Sequence, residues 1–154
     1  MPNTQAVGVA FADPEFQSVT VTGAVSAASA AVTGAVTADS VTAGTVTASS
    51  SLVIKSATVA AAGTNQGTAA AVAAGFTLVS AADGTKGVVL PAASAGLVVI
   101  IKNSAAAALK IYPATGDAIN ALAANASYDI TNLTSTLLVA YDATTWYSVP
   151  LVAS

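Results

Sequence analysis

The chain has 154 residues, of which 55% are hydrophobic and only 7% charged, with a net charge of −3 and no cysteine. Soluble domains average about 25% charged residues, so this surface is either covered by other chains or polar without charge. The cations are scattered lysines, which excludes the clustered phosphate contacts of a nucleic-acid-binding protein. The absence of cysteine and histidine excludes disulfides and leaves a transition-metal site without its usual ligands.

Composition divides the chain into an arm (1–18), a repetitive segment (19–50), a transition (51–75) and a C-terminal domain (76–154). The arm is polar and contains two prolines, which disfavour regular structure. We interpret it either as a tail or as a segment that docks on a neighbouring chain through Phe11 and Phe16. It has no basic start followed by an apolar run, so we expect no export signal.

The repetitive segment consists of three similar units, VTGAVSAAS (21–29), VTGAVTADS (32–40) and VTAGTVTASS (41–50). Their spacing fits a right-handed coiled coil or a stack of short β segments. The Val, Thr, Gly, Ser and Asp residues together would cost a helix roughly 14 kcal/mol relative to alanine, so we favour β structure. The valine face has no partner within the segment, and we expect identical chains to supply one in an intertwined trimer. The predicted oligomer or capsid contacts are Phe11, Phe16, Val21, Val25, Val32, Val36, Val41 and Val46.

The rest of the chain contains short runs of β-forming residues. In the transition, Leu52–Lys55 is a predicted strand, and the segment 60–75 is open to interpretation as a loop or a short helical turn. In the C-terminal domain, seven runs alternate with turn signals, which predicts an all-β fold, an antiparallel β-sandwich or barrel. Trp146 is predicted to anchor its core. The seven predicted strands are 76–80, 86–90, 97–102, 108–112, 127–131, 136–141 and 145–149.

The sequence carries no pattern typical of catalysis or ligand binding. Its Ser and Thr residues have no histidine base, and it contains no phosphate-binding loop. We interpret DGTKG (83–87) as a hairpin turn, and Asp117 with Asn120 as a turn rather than a calcium site. The longest strongly apolar run, Leu97–Ile101, is far shorter than the ~20 residues that span a bilayer. We therefore predict no catalytic residue, no cofactor, no metal and no membrane partner.

The passage GTKGVVLPAASAGLVVIIKNSAAAALKIYPATGDAIN (84–120) resembles a β module of tailed-bacteriophage virion proteins. The repeats of the VTGAVTADSV type are similar to those that precede such modules in phage fibres and capsid decoration proteins. The resemblance of the module rests on the order of its elements: Leu90-Pro91, Gly96 before a hydrophobic strand, Asn103 at the end of that strand, Tyr112-Pro113, Gly116-Asp117, Ile119-Asn120 and a late Trp146.

The resemblance implies a structural protein at the capsid surface of a virion, commonly trimeric, whose partners are its own copies and the major capsid protein. It supplies no catalytic residue, and we expect no enzyme. Because only about 18 residues precede the repeat, we expect a capsid decoration (cement) protein or head fibre rather than a complete tail fibre. A tail-fibre or spike segment that contacts the host surface is the alternative, and a small glycan hydrolase is a further rival.

Overall fold

The computed structural model describes residues 22–24, 26, 29–73 and 75–151, and in this part of the chain it contains β-strands and turns but no helix. The prediction of an all-β fold is therefore confirmed at the level of fold class. Contacts divide the chain into two units, Met1–Val46 and Thr47–Ser154. All strands of the described residues lie in the second unit.

The described residues of the second unit form ten strands. Seven of them, β3 to β6 and β8 to β10, confirm the predicted strands to within two residues at each end. The strands are β1 (Ser56–Ala60), β2 (Ala70–Ala71), β3 (Gly75–Ser80), β4 (Gly87–Val89), β5 (Val98–Asn103), β6 (Leu109–Tyr112), β7 (Ala118–Ile119), β8 (Tyr128–Ile130), β9 (Ser135–Ala140) and β10 (Thr145–Leu151). The predicted strand Leu52–Lys55 has no regular structure, and β1 begins directly after it.

The strands form two sheets with mixed directions. The six-stranded sheet has the order β1-β3-β5-β9-β10-β7, and the four-stranded sheet has the order β2-β4-β6-β8. From β1 to β6 the chain alternates between the sheets, and each strand pairs in parallel with the previous strand of its own sheet. Each circuit thus advances by one strand spacing of about 4.8 Å, which gives the unit a β-solenoid-like stacking. Antiparallel strands β8, β9 and β10 complete the sheets.

The antiparallel arrangement expected for the C-terminal domain is wrong for β3 to β6, which pair in parallel. The period-2 alternation of a strand determines which side chains face the core, but it does not determine the strand's direction or its partner. The segment DGTKG, predicted as a hairpin turn, instead carries the chain from β3 in one sheet to β4 in the other. The hydrogen bonds that Thr85 N and Lys86 N donate to the Asp83 carboxylate, at 2.9 Å each, form this corner. A tight turn is therefore present, but it does not join paired strands.

The inward sides of both sheets contribute to one hydrophobic core. Trp146 of β10 is fully buried in this core, which confirms its predicted role as an anchor. Buried polar residues at the ends and inner faces of strands include Asn103, Thr77 and Thr136. The fully buried apolar side chains are Val79, Val88, Val99, Ile101, Leu109, Ile111, Ile119, Leu138 and Trp146.

The described residues of the repetitive segment contain neither helix nor strand, and all of them are exposed. The β structure predicted for this segment is therefore absent from its described residues. One ribbon of short β segments cannot bury its own valines, and the pairing of this segment with identical chains stays a prediction. The predicted arm, 1–18, lies outside the described residues.

Candidate association surface

On the four strands β3, β5, β9 and β10, the side of the six-stranded sheet that faces away from the core is largely apolar, and this part is termed the outer face. It consists of the outward-pointing side chains of β3, β5, β9 and β10. The strand register aligns these side chains in rows that run across the sheet. The first row contains Phe76, Ile100, Leu137 and Val149; the second contains Val98, Val139 and Tyr147; the third contains Leu78, Lys102, Ser135 and Leu151.

The strands of the outer face are apolar on both sides. β5 reads VVIIKN and β9 reads STLLVA, and in each strand the inward residues are buried while the outward ones are partly accessible. A sheet with one solvated face normally alternates apolar and polar residues, so continuous apolar runs indicate a strand covered on both sides. Four side chains of the outer face are between 39% and 51% exposed in the isolated chain: Val98, Tyr147, Val149 and Leu151.

Charge is almost absent from the outer face. Its one charged side chain is that of Lys102 in the third row, whose Nζ donates a 2.6 Å hydrogen bond to the carbonyl oxygen of Leu133. The outward side of the four-stranded sheet differs, because there the Lys110 Nζ lies 2.8 Å from an Asp129 carboxylate oxygen. The hydrogen bond to Asp129 raises the pKa of the Lys110 ammonium. The exterior of the six-stranded sheet is therefore largely apolar, whereas that of the four-stranded sheet carries an ion pair.

A groove of about 290 Å³ borders the outer face on the side of β1 and β3. It is lined by Ile54, Lys55, Gly75, Val98 and Ile100 and is almost entirely apolar. Gly75 has a φ of +98°, and a Cβ at this position would clash with the carbonyl oxygen of Lys55. The missing side chain thus allows the segment before β1 to approach β3 closely and helps to keep the groove open.

Two tyrosines protrude at the opposite side of the outer face, where a turn joins β9 to β10. The rings of Tyr141 and Tyr147 meet edge to face with centroids 5.8 Å apart, and they are termed the tyrosine pair. Their side chains are 70% and 51% exposed. The Asp142 carboxylate fixes the turn by accepting hydrogen bonds from Thr144 N at 2.8 Å and Thr145 N at 2.7 Å. A rigid turn therefore presents two large aromatic side chains to solvent.

The predicted contact residues lie on the first unit rather than on the outer face. Val32, Val36, Val41 and Val46 are between 60% and 72% exposed, so they are accessible to a partner. Four further predicted contacts, Phe11, Phe16, Val21 and Val25, lie outside the described residues. The outer face was not among the surfaces predicted from the sequence. The runs LVVII and TLLVA carried the signal, because an apolar run without alternation is typical of a strand covered on both sides.

The four acidic side chains of the second unit are all engaged in structural contacts. Asp83 and Asp142 each accept a threonine hydroxyl and backbone N–H groups at a turn. Hydrogen bonds from the Thr85 hydroxyl and from the Thr144 N–H, respectively, are the main causes that lower the pKa of these two carboxyls. Asp117 is buried and accepts a backbone N–H at 2.9 Å, and Asp129 binds a lysine. In the described ranges no three such side chains are close enough to hold a metal ion.

Comparison with protein-family models, curated proteins and solved structures finds no match for this chain. Within the part of the chain that the structure describes, no helix has the length and apolar character needed to cross a membrane. The function of the chain is therefore inferred from its surface and its sequence patterns.

Proposed function

We propose that the protein is a structural component of a virion: a homotrimeric capsid decoration (cement) protein or head fibre that binds the major capsid protein and has no enzymatic activity. The observation that carries this proposal is the outer face, an apolar and nearly uncharged sheet surface on a chain with few charges overall. The largest apolar patch on the surface of a protein is often its interaction site. The resemblance of residues 84–120 to phage virion modules supports the choice of a virion as the assembly.

The size of the outer face indicates how much it contributes to association. Four strands about 4.8 Å apart and six residues with a rise of about 3.3 Å give an area of roughly 400 Å². Covering this area releases about 10 kcal/mol per copy at about 25 cal/mol per Å². That gain is comparable to the ~4–15 kcal/mol cost of association, and a standard interface buries about 800 Å² per partner. A stable trimer therefore requires a second contact surface.

The repetitive segment is suited to provide that second surface. Its described valines are accessible, and its Val and Thr residues fit β pairing with another chain. Small side chains also permit close backbone approach between copies or against a capsid subunit. In this proposal the outer faces meet around a threefold axis, and the repeats bind neighbouring copies and the shell.

The test of self-association is the native mass, measured by light scattering and native mass spectrometry over a wide range of concentrations. We expect a trimer. The variant Val149→Lys places a charge in the first row of the outer face and is expected to dissociate the trimer without unfolding the protomer. Leu122→Lys is the matched control, since Leu122 is 41% exposed at a position outside the outer face. A folded monomer of the unsubstituted protein at all concentrations would contradict the proposal.

The test of the virion role is co-sedimentation with purified capsids of the phage whose genome encodes the chain. We expect the trimer to sediment with capsids and to raise the temperature at which they disrupt. A trimer that does not sediment with capsids but binds immobilised host glycans would support the tail-fibre or spike function in place of the decoration function.

A further inference from the structure

The groove and the tyrosine pair lie at the same level along the strands, on opposite sides of the outer face. Val98, which lines the groove, is paired with Val139, and Val139 is paired with Tyr147. These three residues form the second row, which runs perpendicular to the strands. Two strand spacings separate the Cα atoms of Val98 and Tyr147 by about 10 Å. The paired strands between them thus hold the groove and the tyrosine pair at a fixed distance.

The two features are chemically complementary. The groove offers an apolar floor of Ile54, Val98 and Ile100, with Lys55 as its one charged group. A tyrosine ring matches that floor by burying its apolar body, and its π-face attracts a lysine ammonium. The tyrosine pair carries no charge, so its entry adds no further ion to the groove beside Lys55. A tyrosine of another copy is therefore a suitable occupant of the groove.

The placement of the two features determines the direction of the symmetry axis. A rotation about an axis parallel to the strands brings the tyrosine pair of one copy to the groove of another. A twofold rotation of this kind gives a reciprocal contact between two copies, and a threefold rotation, which the proposed trimer requires, gives a heterologous contact from each copy to the next. Such heterologous contacts close into a ring when the rotation closes.

We propose that in the homotrimer Tyr147 of each copy, supported by Tyr141, occupies the groove of the next copy. The contact is heterologous, and its repetition three times closes the ring. This inference rests on the self-association proposed above and adds to it the direction of the contact and the residues that make it. Tyrosine, tryptophan and arginine are the residues that most often dominate interface energetics, which agrees with an aromatic anchor at this position.

Cross-linking between two single-cysteine variants tests the direction of the contact, because the chain contains no cysteine of its own. Full-length chains with Tyr147→Cys and Val98→Cys carry tags of different mass, are unfolded and refolded together, and are treated with a bismaleimide whose spacer replaces the length of the tyrosine ring. We expect a linked species that contains both tags. The control pairs Leu122→Cys with Val98→Cys and is expected to give no such species.

A charge exchange provides a second, independent readout. Val98→Lys adds a cation beside Lys55 and is expected to weaken trimer association at least about tenfold. Adding Tyr147→Glu to the same chain is expected to restore association, because the carboxylate of each copy enters the cationic groove of the next. Adding Leu122→Glu instead leaves the net charge identical and is expected to restore nothing.

The outcomes separate this inference from the function on which it rests. A trimer whose cross-links join only identical positions, or a trimer unaffected by Val98→Lys, overturns the heterologous contact while self-association stands. A monomer formed by the unsubstituted chain overturns both.

Discussion

The stability of the second unit is expected to depend on one buried amide, that of Asn103. This residue ends β5 and is fully buried. Its side-chain nitrogen donates hydrogen bonds to the carbonyl oxygens of Ala107 at 2.8 Å and Thr131 at 3.1 Å, and its side-chain oxygen accepts one from Ala105 N at 3.1 Å. The side chain thus ties the strand end to two separate loops.

Removing this amide leaves three backbone groups without their partner. A typical hydrogen bond contributes about 1 kcal/mol net, and an unsatisfied buried group costs more. Asn103→Ala is therefore expected to lower the free energy of unfolding by about 2–4 kcal/mol, since three such groups are affected. Asn103→Asp keeps the size of the side chain but turns a carboxylate oxygen toward two carbonyl oxygens, and it is expected to cost at least as much at neutral pH.

The two variants differ in their dependence on pH. Burial and the facing carbonyl oxygens raise the folded-state pKa of the new carboxyl in Asn103→Asp above its unfolded value of about 3.9. Stability relative to the parent chain is then highest below that unfolded pKa and is lost as the pH rises through the folded pKa. The difference between Asn103→Ala and the parent chain has no such pH dependence.

Urea unfolding at one protomer concentration measures these effects. The fluorescence of Trp146, the single tryptophan, reports the transition because its side chain is fully buried. Asn65→Ala is the control: the Asn65 side chain is exposed and its carboxamide oxygen accepts hydrogen bonds from Thr68, so a loss below about 1 kcal/mol is expected. Equal losses for Asn103→Ala and Asn65→Ala would refute the assignment of the buried amide as a structural tie.

Two further predictions use the same assay. Gly75→Ala is expected to lower the free energy of unfolding by more than Gly84→Ala, which should cost about 1–2 kcal/mol. Both glycines have left-handed φ angles, of +98° and +90°, but only at Gly75 does a Cβ meet the backbone of Lys55; equal losses would contradict this. Asp142→Ala is expected to lose stability above pH ~4 and to approach the parent chain in acid, since a lowered folded-state pKa gives stability that disappears as the pH falls. A constant difference between pH 7 and pH 3 would argue against it.

Local patterns were sufficient to predict the strands but not their arrangement. The short runs of β-forming residues FTLVS, LVVIIK and TLLVAY, each bounded by turn signals, identify β3, β5 and β9, and the predicted anchor Trp146 is buried in β10. Strands β2 and β7 contain two residues each, so they are too short to produce a periodic signal. The direction of β3 relative to β5 depends on the connection between them, which passes through the second sheet.

The strand β1 shows how strand pairing can override local hydrophobicity. The residues Leu52–Ile54 are more apolar than the SATVA segment of β1, and the local pattern therefore predicts a strand at Leu52–Lys55. In the structure, Leu52 and Val53 are 78% and 88% exposed, and it is SATVA that pairs with β3. Pairing in a solenoid-like stack is determined by the position of the preceding and following strands, which a local pattern does not contain.

The sequence predicts association through the valines of the repeats and does not predict the outer face. Both outcomes have the same physical reason, which is the local surroundings of the apolar residues. An uncovered valine ribbon is evident in sequence, because the repeat has no other large apolar residues to pack against. A strand such as β5, apolar on both sides, instead resembles the centre of a monomeric sandwich. The topology places a second sheet against only one side of β5, so the apolar side chains on its other side are accessible in the single chain.

The outer face can therefore be regarded as half of a core whose other half is absent from the single chain. Domains bury each apolar face of a sheet against another layer, and here the inner face of the six-stranded sheet is covered by the four-stranded sheet while its outer face is not. The rows of the outer face contain side chains as large as those of the core itself. Large apolar residues are scarce in this chain, and several of them lie on the outer face. We therefore interpret the outer face as a surface that is buried in the proposed assembly. In the proposed assembly the low charge of the whole chain has the same cause, since a surface that is covered by other copies gains nothing from charges that must be desolvated.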